Sequence, residues 1–369
     1  MTQDYILIIA SSGRMLAQAA KNAGLKPLVI DMFADLDTRI YALDFKQIPV
    51  LSPNHLAPAV DYFIHHYAVT QCIYGSGFEQ HPDSLRYLQT RLTLSGNSAE
   101  TFMRVQNKVD FFATLDKLDI PHPETVFTPP HEAQNWLIKP MQGQGGVDIQ
   151  RYQANHKTGA VGYWQKYQTG SAHSVLFLAN GQQCQIIGFN SQWTTRLSEI
   201  DEFIFAGIIN HCELSETSQV QIINWLTKLV PVFNLTGLNS LDFIQHNEQS
   251  YVLEINPRPP ASMQLYQQNL LLKHIHAKTI NMAKQTKLLP PSIYTGYQII
   301  YAPQDVRIPE NHVWENNSLD IPAAGQICRT GQPICSIIAH KKQARTVLRA
   351  LNIQQQTILK GLYSDGIQS

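Results

Sequence analysis

Asp242, Glu254, Asn256 and Arg258 have the side-chain types and spacing needed to hold a metal ion beside a phosphate. They fall in GLNSLDFIQHNEQSYVLEINPRPPAS, residues 237–262. SLDFIQ and SYVLEIN alternate apolar and polar residues, and HNEQ between them has turn composition, which predicts a β-hairpin. A three-residue loop at Asn247, Glu248 and Gln249 pairs His246 with Ser250, and therefore Asp242 with Glu254. Both carboxylates then lie on one face with Cβ atoms about 5 Å apart, where like charges repel. A divalent cation removes that repulsion. Asn256 shares the face of Glu254 and adds a third oxygen, a set that suits Mg²⁺. Arg258 follows at the strand end, where a planar guanidinium can hold a phosphate or acyl phosphate. A slip of one residue would put the acids on opposite faces and leave an ordinary surface hairpin.

Upstream, WLIKPMQGQGGVDIQRY reads as a strand over 136–139, a glycine-rich loop over 140–146 and a returning strand over 147–152. Glycines let backbone N–H groups close around an anion, and Lys139 stands at the mouth of the loop. A glycine-rich turn between strands is also common structural punctuation. Residues 99–118 read as one helix carrying Lys108, ended by Pro121 and Pro123. Residues 163–170, YWQKYQTG, are an extended run before a glycine turn, with a strand over 173–178 after it.

These segments need a scaffold, and the first hundred residues suggest one. Residues 5–10 form a buried strand, 14–23 a helix ended by Gly24, and 27–31 a second strand: a βαβ unit and hence a parallel sheet. Residues 72–74 add another strand. In open α/β sheets ligands bind beyond the carboxyl ends of strands, so the loops 11–14 and 75–79 are candidate ligand contacts. No GxGxxG follows the first strand, which argues against a dinucleotide fold. Asp31, Asp35 and Asp37 read as loop-capping acids, any of which could touch substrate. Pro290-Pro291 marks a boundary, followed by short strands over 296–303 and 325–339 and a helix over 341–351.

With 369 residues, 44% of them hydrophobic and 15% charged, the chain can build two or three cores. Lys plus Arg balance Asp plus Glu at 28 each, so the global charge does not suggest a nucleic-acid or acidic-membrane partner. Low net charge is compatible with a homodimer. Fourteen scattered histidines and five widely spaced cysteines, without CxxC or HExxH, indicate neither a zinc site nor a disulfide framework. The N-terminal run reads as a first strand rather than a leader, no run approaches a membrane span, and a cytoplasmic setting is expected.

Taken in order, Lys108, Lys139 before its glycine loop, QKYQTG and the acid pair ending in EINPRP resemble the ATP-grasp superfamily. Asp242 and Glu254 are 12 positions apart (254 − 242), the hairpin separation typical of that family. The resemblance implies an α/β and α+β architecture in three parts. These are an N-terminal parallel βα domain over 1–98, a central ATP-grasp fold of two α+β subdomains over 99–290, and a small β-rich domain over 291–369. It implies ATP and Mg²⁺ as cofactors. Lys108 and Lys139 would contact ATP phosphates, and Gln142, Gly143, Gly145 and Gly146 would belong to a loop closing over the triphosphate. The backbone of Lys166 and Gln168 would read the adenine edge, with Tyr167 pointing into the core behind it. Asp242, Glu254 and Asn256 would hold Mg²⁺, and Arg258 would steady the transferred group. Many members have a glutamate where this chain has Gln165, and a ribose-binding acid where it has Ser171, His173 and Ser174.

The implied activity is a ligase joining a small carboxylate to an amine through an acyl phosphate. Its branch is loosely similar to tyramine–glutamate ligase of methanofuran-type cofactor biosynthesis. Arg196 and the loops 11–14 and 75–79 would line the substrate cleft with Arg258. The alternatives are a carboxylating enzyme similar to N5-carboxyaminoimidazole ribonucleotide synthase, and a nucleotide-binding module without turnover.

Overall fold

The computed structural model describes residues 4–132, 134–153, 162–266, 268–282 and 290–364. The first three residues of the N-terminal run and the last five of the C-terminal part lie outside them. Strands β1 (Tyr5–Ile9), β2 (Lys26–Asp31), β3 (Asp44–Gln47), β4 (Gln71–Tyr74) and β5 (Thr93–Ser95) form a parallel sheet in the order β3-β2-β1-β4-β5. Helices α1 (Arg14–Asn22), α2 (Leu36–Tyr41), α3 (Pro53–Tyr67) and α4 (Pro82–Arg91) connect them. The inner strands β1, β2 and β4 carry buried apolar runs because parallel strands covered by helices are buried on both faces, whereas the edge strand β3, DFKQ, is polar.

The expected long helix over 99–118 is two helices, α5 (Ala99–Gln106) and α6 (Lys108–Lys117). Asn107 breaks it with ψ 97, and its side-chain oxygen accepts the Asp110 N–H at 3.2 Å, capping α6. Lys108 thus opens a helix instead of sitting within one.

Strands β6 (Thr125–Val126), β7 (Trp136–Pro140), β8 (Gln150–Arg151) and β9 (Gly162–Lys166) make a four-stranded antiparallel sheet that carries the glycine-rich loop. The largest sheet has eight strands. It begins with β10 (Ser171–Asn180), β11 (Cys184–Thr195), β12 (Ile204–Ile209), β13 (Thr236–His246) and β14 (Gln249–Asn256). It continues through β15 (Tyr294–Tyr301), β17 (Ser318–Leu319) and β19 (Pro333–Lys341), while β16 (Val306–Arg307) pairs with β18 (Ile327–Cys328) apart from it. The three expected parts are present: a parallel N-terminal sheet, a mixed central part and a β-rich C-terminal part. Pairing of β12 with β15 joins the last two through one sheet across residue 290.

Helix α7 (Glu216–Phe233) covers one face of this sheet. Ser215 caps it by accepting the Ser218 N–H, and Ile222, Trp225, Leu226, Leu229, Val230 and Phe233 recur at helical spacing on its buried side. They pack against Val175, Phe177, Leu241 and Phe243. The alternate β10 residues, Leu176 and Leu178, face the other way and join Ile6, Ile8 and Val29 of the parallel sheet. Buried on both faces, β10 fixes the N-terminal sheet to the grasp, with α8 (Leu270–Ile275) in the same cluster. Helix α9 (Ala344–Ser364) closes the far end, where Val347 and Leu351 pack on Ile337 and Ile300. No helix among the described residues is long and apolar enough to cross a membrane.

Candidate nucleotide and metal site

The hairpin of β13 and β14 does bring Asp242 opposite Glu254. The route differs from the expected one. His246 pairs with Gln249 across a two-residue turn, with Asn247 at φ 52, as such tight hairpins require. A bulge between Asp242 and Phe243 then skips Leu253 and restores the register, so that Asp242 meets Glu254 and Ser240 meets Asn256. Without the bulge the tighter turn would set Asp242 opposite Leu253. The bulge is therefore what assembles the acid pair.

Around that pair the bonds are specific. Asn256 donates its amide to Asp242 Oδ2 at 3.1 Å, and Ser240 Oγ donates to Asp242 Oδ1 at 3.3 Å. Burial, and next the facing charge of Glu254, push the Asp242 carboxyl well above its ordinary range, with Arg258 opposing. Lys108, its side chain 4% exposed, reaches Glu254 Oε2 at 3.2 Å, so in this state it contacts the acid pair itself. Among the described residues no three or more His, Cys, Asp and Glu side chains cluster as a metal site. A metal here would take its remaining ligands from the Asn256 amide oxygen, water and phosphate, which is how Mg²⁺ is ordinarily held. Two half-buried, facing carboxylates, with Lys108 paired to Glu254 and no direct ion pair to Asp242 among the described residues, fit such an ion.

Arg258 donates through Nε to Glu79 Oε1 at 2.6 Å and through Nη2 to Asn256 Oδ1 at 3.3 Å. Glu79, 2% exposed, also accepts the Gly77 N–H at 2.9 Å. The loop after β4 thus holds the guanidinium against the Asn256 amide. Loop 75–79 was a sequence candidate, but the pairing of Glu79 with a residue 179 positions away has no local signal.

Lys139 lines the same cleft and donates to Gln165 Oε1 at 2.7 Å; Gln165 in turn donates to Thr125 Oγ1 at 3.0 Å. A neutral amide where a carboxylate could stand leaves the ammonium without a close anion. Burial lowers its pKa to about 8, Lys108 adds to the shift and Glu254 opposes it. Phosphate oxygens favour the protonated amine, which exists below that pKa. Nucleotide affinity is therefore expected to be highest below about pH 8 and to fall as pH rises through it. Lys139→Met should weaken binding about tenfold or more, the worth of one charged hydrogen bond, and remove that inflection; calorimetric titration across pH reads both.

The glycine-rich loop lies folded over the cleft. Gln144 Oε1 accepts the Gly77 N–H at 3.1 Å, and Gly145 O accepts the Phe205 N–H at 2.9 Å, so the loop bridges the N-terminal part and β12. Gly143, Gly145 and Gly146 line the cleft, whereas Gln142 is exposed and does not; Gln144 makes the bridging contact instead. Gly146 has φ 81, and a Cβ there would stand 1.9 Å from Phe203 O. Gly146→Ala should keep the loop from docking. It is expected to lower kcat about 10²-fold, as misplacement of the positioning elements does, while leaving Tm nearly unchanged.

At the adenine end of the expected site Lys166, Tyr167 and Gln168 all line the cleft. The Lys166 N–H is already given to Glu124 O at 2.8 Å, so only its carbonyl is open to a base edge. Tyr167 does not point into the core. Strand β9 ends at Lys166, alternation stops, and the Tyr167 ring lies half-buried beside Phe203, 6.1 Å between centroids, under the Arg151 guanidinium. His173 and Ser174 also line the cleft, and His173 is engaged by Ser171 Oγ at 2.7 Å and Cys212 Sγ at 3.1 Å. Arg196 is exposed, bonds to Ser198 O and does not line the cleft. The cleft holds about 1270 Å³, enough for a nucleotide and a second molecule.

Residues 105–262 match the ATP-grasp_3 family, described as an ATP-grasp domain. The chain is similar to a Methanocaldococcus jannaschii protein, the uncharacterized protein MJ0776, at 23% identity over 274 residues. That stretch covers 69% of this chain and 66% of the relative, just under two thirds of its length. Among solved structures, biotin carboxylase from Campylobacter jejuni, in complex with β-γ-ATP, superposes with TM-score 0.74 at 13% identity, covering 95% of this chain and 90% of that one. N5-carboxyaminoimidazole ribonucleotide synthetase from Thermus thermophilus gives 0.68 at 15%, covering 97% and 98%. L-amino acid ligase from Bacillus licheniformis gives 0.68 at 14%, covering 96% and 98%. The fold is that of the ATP-grasp superfamily, in which ATP and Mg²⁺ binding are typical, and its neighbours include both carboxylases and ligases.

Proposed function

We propose that this protein is an enzyme that uses ATP and Mg²⁺ to convert a carboxylate into an acyl phosphate, and then passes the acyl group to a nitrogen nucleophile. One observation carries the reading: the facing acids Asp242 and Glu254 share a cleft with Lys108, Lys139 and Arg258. That is the equipment of phosphoryl transfer, which asks for positioning and charge neutralisation and needs no protein nucleophile. The nucleotide would supply the electrophilic phosphorus, and a bound metal would offset charge on its phosphates. Asp242, Glu254 and Asn256 would hold that metal, Lys108 and Lys139 would bear on the phosphates, and Arg258 would steady the group in transfer. A carboxylate oxygen bonds to the γ-phosphorus as ADP leaves. Nitrogen then bonds to the acyl carbon as phosphate departs, and its proton goes to solvent. The docked glycine loop would keep water from the acyl phosphate.

Bicarbonate is the favoured acid, because biotin carboxylase superposes with TM-score 0.74 against 0.68 for L-amino acid ligase. N5-carboxyaminoimidazole ribonucleotide synthetase is a second carboxylating likeness over almost the whole chain. An organic acid joined to an amine is the second reading. It is supported by the likeness to L-amino acid ligase and by a cleft with room for both substrates. ADP release should be followed in bicarbonate-depleted buffer, then with bicarbonate restored, then with paired acids and amines beginning with glutamate and tyramine. Stimulation by bicarbonate alone supports carboxylation; stimulation only by an acid–amine pair supports the ligase. Tight ATP binding with no stimulation by any of these would point to a binding module and sink the proposal.

A further inference from the structure

Beyond Arg258 the cleft continues between the parallel sheet and the C-terminal strands, and this end carries charges that phosphoryl transfer does not use. Its wall includes Ser12, Arg14, Asp35, Gln264, Tyr297 and Asp320. Asp31 and Asp37 stand behind it, and both are fully engaged. Asp31 accepts the Gly13 N–H at 3.2 Å and the Ala34 N–H at 2.7 Å, closing its loop. Asp37 accepts the N–H groups of Asp320 and Ile321 at 2.9 and 3.0 Å, docking the C-terminal segment on α2. Asp320 takes Arg14 Nε at 3.0 Å and bonds from Ser12 and Tyr297, both at 3.3 Å. Arg14, 1% exposed, gives Nη1 to Gln18 and Nη2 to Gln264 and to the second Asp320 oxygen.

Asp35 is the exception. It is only 7% exposed and lines the cleft, yet among the described residues its carboxylate accepts no hydrogen bond and has no ion-pair partner. Its pKa is pushed up to about 8 by burial and by Asp320, Asp31 and Asp37, against the pull of Arg14. The carboxylate oxygens are not sealed off, so they open onto the cleft, where water or a ligand must satisfy them. Ser262, 1% exposed on the same cleft, likewise has a hydroxyl with no partner. With four carboxylates around one committed guanidinium, an anion is repelled here and a cation attracted.

We propose that Asp35 marks the subsite for a cationic nitrogen, a primary ammonium, on the second substrate. The cleft would then have a cationic end for phosphates and an anionic end for an amine-bearing molecule. This inference rests on the acyl-transfer reading above and adds the charge of the substrate to it. The test uses the full chain saturated with ADP and Mg²⁺. Thermal unfolding is followed while n-butylammonium chloride is added, against sodium chloride and n-butanol as matched controls. Wild type should gain a few degrees in Tm from the ammonium beyond both controls, as selective binding to the folded state requires. Asp35→Asn exchanges an unpartnered acid, already driven toward its neutral form by burial, for a neutral amide. It should therefore fold with equal or higher Tm, bind ADP as wild type does, and show no ammonium-specific gain. Equal responses in the two proteins, or none in wild type, would overturn the inference while leaving the nucleotide site standing. Failure of wild type to bind ADP with Mg²⁺ would instead strike the reading beneath it.

Discussion

Glu254→Gln is expected to lower ATP turnover by about 10²–10³-fold, the loss seen when one group stabilising developing charge is removed from an active site. Glutamine keeps an oxygen for Lys108, 3.2 Å away in the native protein, so the fold should survive. Removing one of two facing carboxylates also relieves repulsion, and Tm should be unchanged or raised. Asp242→Asn should behave alike. The double variant should be scarcely worse than either single one, because both residues serve one ion and their effects do not add. ADP release together with thermal unfolding separates the outcomes. Near-normal turnover in either single variant would remove the metal site from the account.

Arg258→Ala should lose both activity and stability, for separable reasons. Its Nε is 2.6 Å from Glu79, which is 2% exposed, so truncation strands a buried carboxylate at a cost of about 3–5 kcal/mol. Adding Glu79→Gln should recover most of that stability, since a neutral amide needs no counter-ion. It should recover none of the turnover, because the guanidinium that steadies the transferred group is still missing. Denaturant unfolding and ADP release on the two single variants and the double complete the cycle. A double variant regaining both properties would make Arg258 a structural residue only.

Most of the scaffold could be read from local pattern. The apolar runs of β1 and β2 around a helix ended by Gly24 imply a parallel sheet, and the alternation in β13 and β14 implies a hairpin. The decisive pairing of Asp242 with Glu254 also came out correctly, but through a loop that is not there. A two-residue turn and a bulge at Leu253 replace the three-residue turn. Bulges carry no composition of their own, so alternation could not distinguish the two routes. Asn107 was invisible as a helix break because no Gly or Pro interrupts the pattern around it; its cap on Asp110 decides the matter. Contacts distant in sequence were beyond reach. The bond from Gln144 to Gly77 spans 67 residues and that from Arg258 to Glu79 spans 179, and each depends on how the parallel sheet sits on the grasp. The same holds for Asp35, whose neighbours Arg14 and Asp320 reveal its lack of a partner only once the residue 320 segment docks on the N-terminal sheet domain.

The most direct test follows an oxygen label within ATP. With the β,γ-bridging oxygen labelled and bicarbonate or the organic acid supplied without any nitrogen substrate, reversible transfer frees the β-phosphate of bound ADP to rotate. The label should then scramble into non-bridging positions, visible by phosphorus NMR, and Glu254→Gln should abolish the exchange. Turnover that requires the acid yet leaves the label in its bridging position, while bound ADP is shown free to rotate, would contradict an acyl phosphate formed over the Asp242–Glu254 pair.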